Sequence, residues 1–421
     1  MAGATSERKR QSSGGDGQGS QSDPREADRV AHHRRSTTGG TPAQTINLIR
    51  VPFWLGCGRR GTELGPDSIV EAGLIAQLEA LGVEIAVDLE VDCRGLGAEA
   101  YDGGASLRAE DSGCPILGAR ADGDCQVRGA EADGGFPARG DGADGAGLKR
   151  NDGKIGAAEA EIQFELEEKD GVGNTLYDDH LRDGDGKVKH LTETKEMSRR
   201  VAASVYRAAA ACRFSLVLGG DHSAAIGSLA GLTAHYERLG VIWIDAHADI
   251  NTEETTPSGH MHGMPLAVAL GKARFKLTEL PGAKLLRPDK LVIVGARDLD
   301  PGERELIRAE GIACFTMHDI DRLGMAAVIA KALDIAGRDT DGMHVSFDMD
   351  SLDPSEAGGV GTPVRGGLSY REAHLAMELL AESGRVTSLD LVEVNALLDH
   401  DRRTAKLAVE LASSLFGKRI L

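Results

Sequence analysis

The sequence predicts an α/β fold, a parallel sheet with helices covering both of its faces. Short, nearly continuous apolar strands alternate with helical stretches through most of the chain, as a sheet buried on both sides requires. Clusters of Asp and His follow several of these strands directly. Those clusters sit at carboxyl ends, where open α/β sheets bind their ligands.

Taken in order, residues 1–44 are rich in Ser, Gly, Arg and His and almost free of apolar side chains, which predicts a disordered tail. An organelle transit peptide is the functional alternative, but such peptides are poor in acid, and Glu7, Asp16, Asp23, Glu26 and Asp28 fall here. The catalytic domain is expected over 45–421. It opens with a strand at Thr45–Val51, a helix beginning at Pro66 and running to about Leu81, and a second strand from Val83 to Leu89. Pro fits a first helical turn because its missing N–H has no intrahelical partner there.

Periodicity then fails. A Gly-, Asp- and Ala-rich stretch reads as a flexible insertion at about 94–190. Asp183-Gly184-Asp185-Gly186 is a turn, because it lacks the spacing and the Glu of an EF-hand loop. Alternation resumes with a helix from near Thr192 to Arg213. Strands are expected at Ser215–Gly219, Val241–Asp245, Leu291–Ala296, Ala313–Thr316, Met343–Asp348 and Val386–Val394. Helices are expected near Ser223–Leu239, Pro301–Glu310, Met325–Ala336, Ser369–Ser383 and Arg402–Phe416. Ser369 and Glu372 form a capping-box start.

Bulk properties narrow the function. The 421 residues suit one large α/β domain with extra segments, and the net charge of −18 argues against a nucleic-acid surface. No apolar run is long enough to span a membrane. The six cysteines show no metal-type pairing, so they read as reduced in a cytoplasmic protein.

The chemistry concentrates in three motifs. In Asp245-Ala246-His247-Ala248-Asp249 the ionisable groups alternate, so on a regular strand they share one side. Gly219-Gly220-Asp221-His222 and Asp348-Met349-Asp350 end two other strands. A single Asp-x-Asp after a strand is often only a helix cap. Six ionisable groups converging on one crevice, however, face severe desolvation and repulsion unless cations bind. The set His222, Asp245, His247, Asp249, Asp348 and Asp350 is oxygen-rich and lacks thiolate, which suits Mn²⁺, with Fe²⁺, Co²⁺ or Ni²⁺ as alternatives. Six ligands fit two ions better than one. Such a pair activates water near neutral pH, so the centre reads as hydrolytic. His260 and His262, on the following loop, are both candidates for proton transfer.

These blocks, with Ser258-Gly259-His260-Met261-His262-Gly263, Gly361-Thr362-Pro363, Gly366-Gly367-Leu368 and Glu393-Val394-Asn395, resemble the ureohydrolase family, and within it the arginase branch, especially the bacterial type. The resemblance spans roughly 45–90 and 190–421. It implies a three-layer α/β/α fold around an eight-stranded parallel sheet, and two Mn²⁺ per subunit. One ion would take His222, Asp245, Asp249 and Asp348, the other Asp245, His247, Asp348 and Asp350. His262 matches a proton shuttle, Glu393 the carboxylate that grips a guanidinium, and Thr362 a supporting contact. Asp249 would carry a proton to the leaving amine. Asn251, Thr256 and Ser258 match contacts to the carboxylate of L-arginine, and Asp300 and Glu303 contacts to its α-amino group. Asp300 also reads as a helix cap before Pro301.

Three positions depart from the family pattern. His260 stands where Asn is usual, Ser351 where Gly is, and Ala396 where Pro is. The implied reaction is hydrolysis of L-arginine to L-ornithine and urea, by a homotrimer or homohexamer. Agmatinase or another guanidino-substrate hydrolase is the enzymatic alternative, and a non-catalytic relative the alternative outside catalysis.

Overall fold

The computed structural model describes residues 44–96 and 187–419. Most of the expected tail and insertion therefore lies outside the described residues. Within them the chain runs β1 (Thr45–Val51), α1 (Gly65–Glu71), α2 (Leu74–Ala80), β2 (Glu84–Glu90), α3 (Leu191–Ala210), β3 (Phe214–Gly219), α4 (Ala224–His235), β4 (Leu239–Ile244), α5 (Pro265–Ala269), β5 (Leu291–Ala296), α6 (Pro301–Glu310), β6 (Ala313–Thr316), α7 (Met317–Leu323), α8 (Met325–Gly337), β7 (Gly342–Asp348), α9 (Tyr370–Ser383), β8 (Ser388–Val392) and α10 (Arg403–Leu415). The eight strands form one sheet, ordered β2-β1-β3-β8-β7-β4-β5-β6, and every pairing is parallel. The eight-stranded α/β/α expectation is met.

The strands' two-residue period builds the layers. Leu216, Leu218, Ile242, Ile244, Val345 and Phe347 enter one core with residues of α1, α2, α8, α9 and α10. Their chain neighbours Val217, Val241 and Trp243 enter a second core with α3, α4 and α5. Each side chain of this size, fully buried, contributes about 1.5–3 kcal/mol relative to exposure. With helices on both faces, ligands have access only at the sheet's ends. Among the described residues no helix is long and apolar enough to cross a membrane.

Several boundaries differ from expectation. The helix expected from Pro66 to Leu81 is two helices, broken at Gly73, whose φ of +103° no regular helix accommodates. The helix after His222 ends at His235, and β4 starts at Leu239 rather than Val241. Strand β8 is shorter than expected, Ser388–Val392. Helices α5 and α7 are too short to show a clear period and were not expected. The thiols of Cys57, Cys93 and Cys314 are free.

Candidate metal centre

Four neighbouring strands, β3, β8, β7 and β4, deliver the site. Register pairs Leu218 with Leu391, Asp348 with Val392, and Ile244 with Phe347, so the four carboxyl ends finish level. The residues just beyond them meet in one crevice. Gly220 is required at the β3 exit, where a Cβ would collide with the Phe53 carbonyl. Asp249 and Glu393 hold left-handed backbone, at φ +50° and +67°. Non-glycine residues in that region carry strain that surrounding structure must hold, and both residues are placed in the site by it.

The six expected ligands form two groups. His222, Asp245, Asp249 and Asp348 offer ligand atoms within 4.8 Å of one another, and so do Asp245, His247 and Asp350. Asp245 belongs to both. His222 Nδ1 lies 3.2 Å from Asp245 Oδ2, 3.0 Å from Asp249 Oδ2 and 2.9 Å from Asp348 Oδ2. His247 Nδ1 lies 3.4 Å from Asp245 Oδ1 and 3.3 Å from Asp350 Oδ2.

The surroundings orient these groups. His222 Nε2 is 2.8 Å from Ser346 Oγ, and its ring stacks on Trp243 with centroids 4.0 Å apart. The Trp243 indole N–H donates to Asp245 Oδ2. The His247 amide donates to Asp245 Oδ1, and the Asp350 amide to Asp348 Oδ1. Partners of this kind fix how metal ligands point.

Charge balance favours cations. Burial, then repulsion from Asp350 and Asp245, drives the Asp348 pKa well up. Burial and Asp245 also raise the pKa of Asp350, and raise that of Asp249 to about 6. Burial works against ionised Asp245 too, yet His222 and His247 outweigh it and hold that carboxyl below the usual range. Burial lowers the His222 pKa, but Asp245, Asp249 and Asp348 raise it by more. The carboxylates thus draw positive charge to the position a metal would take. His222 Nδ1 and Asp350 Oδ1 are buried without hydrogen-bond partners. Such atoms are costly unless something binds them. The donor set fits hard divalent cations.

Around this centre lies a cleft of about 140 Å³. Every remaining predicted substrate contact lines it except Glu393: Asn251, Thr256, Ser258, Asp300, Glu303 and Thr362. His262 lines it too. Glu393 sits behind, with Oε1 accepting from the His222 amide and facing His262 Nδ1 at 3.1 Å, while Oε2 is buried and unpartnered. Thr362 donates to Asp350 Oδ2. Asn251 donates to Asp300 Oδ2, and Glu303 accepts from the amides of Ile250 and Asp300. Asp300 is indeed a cap: it and Glu303 form a capping box before Pro301. Burial, with Asp249 adding repulsion, raises Glu303 to about 7 against the pull of the Asp300 amide.

Four contributors escaped the sequence reading. Trp243 and Ser346 stand two residues before Asp245 and Asp348, so strand alternation alone places them on the ligands' side. Asp298 lines the cleft. Arg297 donates to the carbonyls of Asp350, Ser351, Leu352 and Val364 and so fixes the loop that carries Asp350. The only sequence signal for Arg297 is a charged residue directly after the buried strand β5.

A parallel α/β/α sheet with a carboxylate-rich candidate metal centre at its carboxyl edge defines the class. Comparison with known proteins gives the family. The model of the arginase family matches residues 135–417. An arginase of Staphylococcus aureus (strain MSSA476) is 37% identical over 90% of this chain and 100% of its own length. The Bacillus caldovelox arginase is 52% identical over 56% of this chain and 80% of its own. The crystal structure of Bacillus subtilis arginase superposes with a TM-score of 0.65 at 37% identity, covering 90% of this chain and 100% of that one. The chain belongs to the arginase family. It is a hydrolase that cleaves a guanidino C–N bond.

Proposed function

We propose that this protein converts L-arginine and water to L-ornithine and urea at two Mn²⁺ ions. The observation that carries the reading is the pair of ligand groups sharing Asp245 at the ends of adjacent strands, in a chain that matches arginases along their full length. One ion would be held by His222, Asp245, Asp249 and Asp348, and the other by Asp245, His247 and Asp350 with Asp348 shared. When bound, the ions supply Lewis acidity and a water activated at neutral pH.

The chain's own side chains do the rest. Glu393 receives guanidinium N–H groups at Oε2, which nothing else occupies, while the His222 amide holds Oε1. Thr362 steadies Asp350 on the same side. Asp249, strained and buried beside the reacting carbon, accepts a proton from water and returns it to the leaving amine. A C–O bond forms, and the C–N bond to ornithine breaks as the proton from Asp249 makes the leaving group a neutral amine. The remaining O–H proton of the urea carbon passes through solvent and His262 to give urea and the ammonium. His262 exchanges protons with solvent and faces Glu393. Asp300 and Glu303 take the α-ammonium. Asn251, Thr256 and Ser258 line the carboxylate end, and Asn251 also holds Asp300 through its amide N–H.

The reading includes a homotrimer or homohexamer in the cytoplasm, with the tail and insertion as appendages of one catalytic domain. The test is urea release by Mn²⁺-loaded protein, with L-arginine and agmatine compared side by side. A strong preference for arginine is expected. Preference for agmatine would retain the centre and overturn the carboxylate-end assignments. Two bound Mn²⁺ with no urea from either substrate would overturn the reading.

A further inference from the structure

The cleft has two electrostatic ends. Its floor and the wall from Asp298 to Glu303 are acidic. Its rim shares Thr256, Pro257 and Ser258 with a second hollow, which Lys187 and Lys189 also line. Chain distant in sequence has been brought here deliberately. The Lys189 amide donates to the Gly259 carbonyl at 2.8 Å. Gly259, at φ +74°, lies so close to the Lys187 carbonyl that a Cβ would collide with it. Segment 187–190 is thereby docked on the loop that carries Thr256, Ser258 and His260.

The charges around Lys189 leave it available. Its Nζ lies 3.3 Å from His260 Nε2, and no ion pair to it is seen among the described residues. The two acids in the same hollow are engaged elsewhere: Glu253 accepts from the Arg274 amide and Glu254 pairs with the Arg274 guanidinium. Burial, then the neighbouring Lys189 charge, lowers the His260 pKa to about 4, so the ring is a neutral acceptor for the ammonium. His260 in turn is held by its own amide, which donates to Ser258 Oγ.

We infer that Lys189, presented by the 187–190 segment and steered by His260, is a specificity-determining residue that reads the substrate's α-carboxylate across the Thr256–Ser258 rim. The inference deepens the arginine reading and rests on it. An amino acid with a guanidinium at one end and a carboxylate at the other matches an acidic floor and a cationic rim. A decarboxylated amine would meet an unpaired ammonium there, and complementary placement of charge discriminates between the two.

The experiment is steady-state urea release from L-arginine by Mn²⁺-loaded wild type, Lys189→Ala and Lys189→Arg, with L-ornithine and 1,4-diaminobutane as competing inhibitors. These two inhibitors differ only in the carboxylate. Lys189→Ala is expected to raise KM for L-arginine and the ornithine inhibition constant about tenfold, as a lost charge-assisted contact does. It should leave kcat within about twofold and the diaminobutane constant unchanged, and Lys189→Arg should restore most of the loss. Parallel weakening of both inhibitors would mark a merely structural residue and overturn the assignment, as would an unchanged KM in an active enzyme. Wild type that releases no urea from L-arginine overturns the parent reading instead, and Lys189's role with it.

Discussion

At the residue scale, the centre trades stability for function. Asp348 is buried against Asp350 and Asp245, which raise its pKa, so an ionised Asp348 is repelled wherever no cation balances it. Asp348→Asn removes that charge and keeps an oxygen to accept from the Asp350 amide, the bond Oδ1 now makes. After treatment with a chelator, Asp348→Asn should melt a few degrees above wild type, a gain on the order of 1–2 kcal/mol. Addition of Mn²⁺ should reverse the order, because wild type gains ligand-binding energy that the variant largely lacks. A variant less stable than wild type under both conditions would show that the carboxylate is not electrostatically strained. His262 supplies a pH dependence. Burial lowers its pKa but Glu393 raises it more, to about 9 from an ordinary 6.5. A group raised on folding contributes stability that is complete below about pH 6.5 and is lost as pH climbs through 9. The melting-temperature gap between wild type and His262→Asn should therefore shrink across that window, and a gap independent of pH would sink the assignment. Individual ligands were legible because Asp and His cluster directly after buried strands; the period-two alternation itself does not hold, since β4 ends at Ile244 and Asp245 to Asp249 lie beyond it. The left-handed backbone at Asp249 and Glu393 was not legible, because it depends on packing around the strand ends.

At the scale of elements, the metal ligands hang on a polar spine inside the sheet. On β7, His344, Ser346 and Asp348 share the face toward α4. Ser346 meets His222. His344 Nδ1 is 2.9 Å from Ser388 Oγ, and its Nε2 is 3.3 Å from Asp390 Oδ2. Asp390 also accepts from Ser228 of α4 at 2.9 Å. All seven residues are buried. Three elements that end or begin at the site, β7, β8 and α4, are thus keyed together by side chains no solvent reaches. Asp390→Ala leaves the Ser228 hydroxyl without its acceptor and removes the carboxyl beside His344, which should cost about 2–3 kcal/mol. Ser228→Ala removes one neutral partner and should cost about 1 kcal/mol. Urea denaturation of the two variants tests this ranking, and equal small losses would mean that the spine adds no rigidity. Helices and strands were legible from period and capping, as at Ser369, where the predicted capping box forms. The spine was not, since a His in β7 and an Asp in β8 meet only once the strands pair.

At the scale of the whole molecule, strand order is what the sequence concealed. Alternation announced a parallel sheet, but β8 and β7 insert between β3 and β4, a pairing of strands far apart in the chain. This insertion gathers His222, Asp245, Asp348 and Glu393 at adjacent strand ends. The expected insertion at about 94–190 enters between β2 and α3. Strand β2 is the edge strand farthest from β7 and β4 on that side. Both cores, all eight strands and the two ligand groups are assembled from residues outside 97–186, and Val188, inside the bounds expected for the insertion, is instead part of the second core. Loop-closure entropy grows only logarithmically, so halving such a connection changes stability by about 0.6 kcal/mol. We therefore expect deletion of 103–156 to leave kcat and KM for L-arginine within about twofold and the melting temperature within a few degrees. Segment 187–190, docked on the Gly259 loop, stays in place in that design. A large loss of turnover in a protein that still melts cooperatively would assign the deleted stretch a part in catalysis. A loss of affinity for arginine alone would mean that it helps hold Lys189 at the rim.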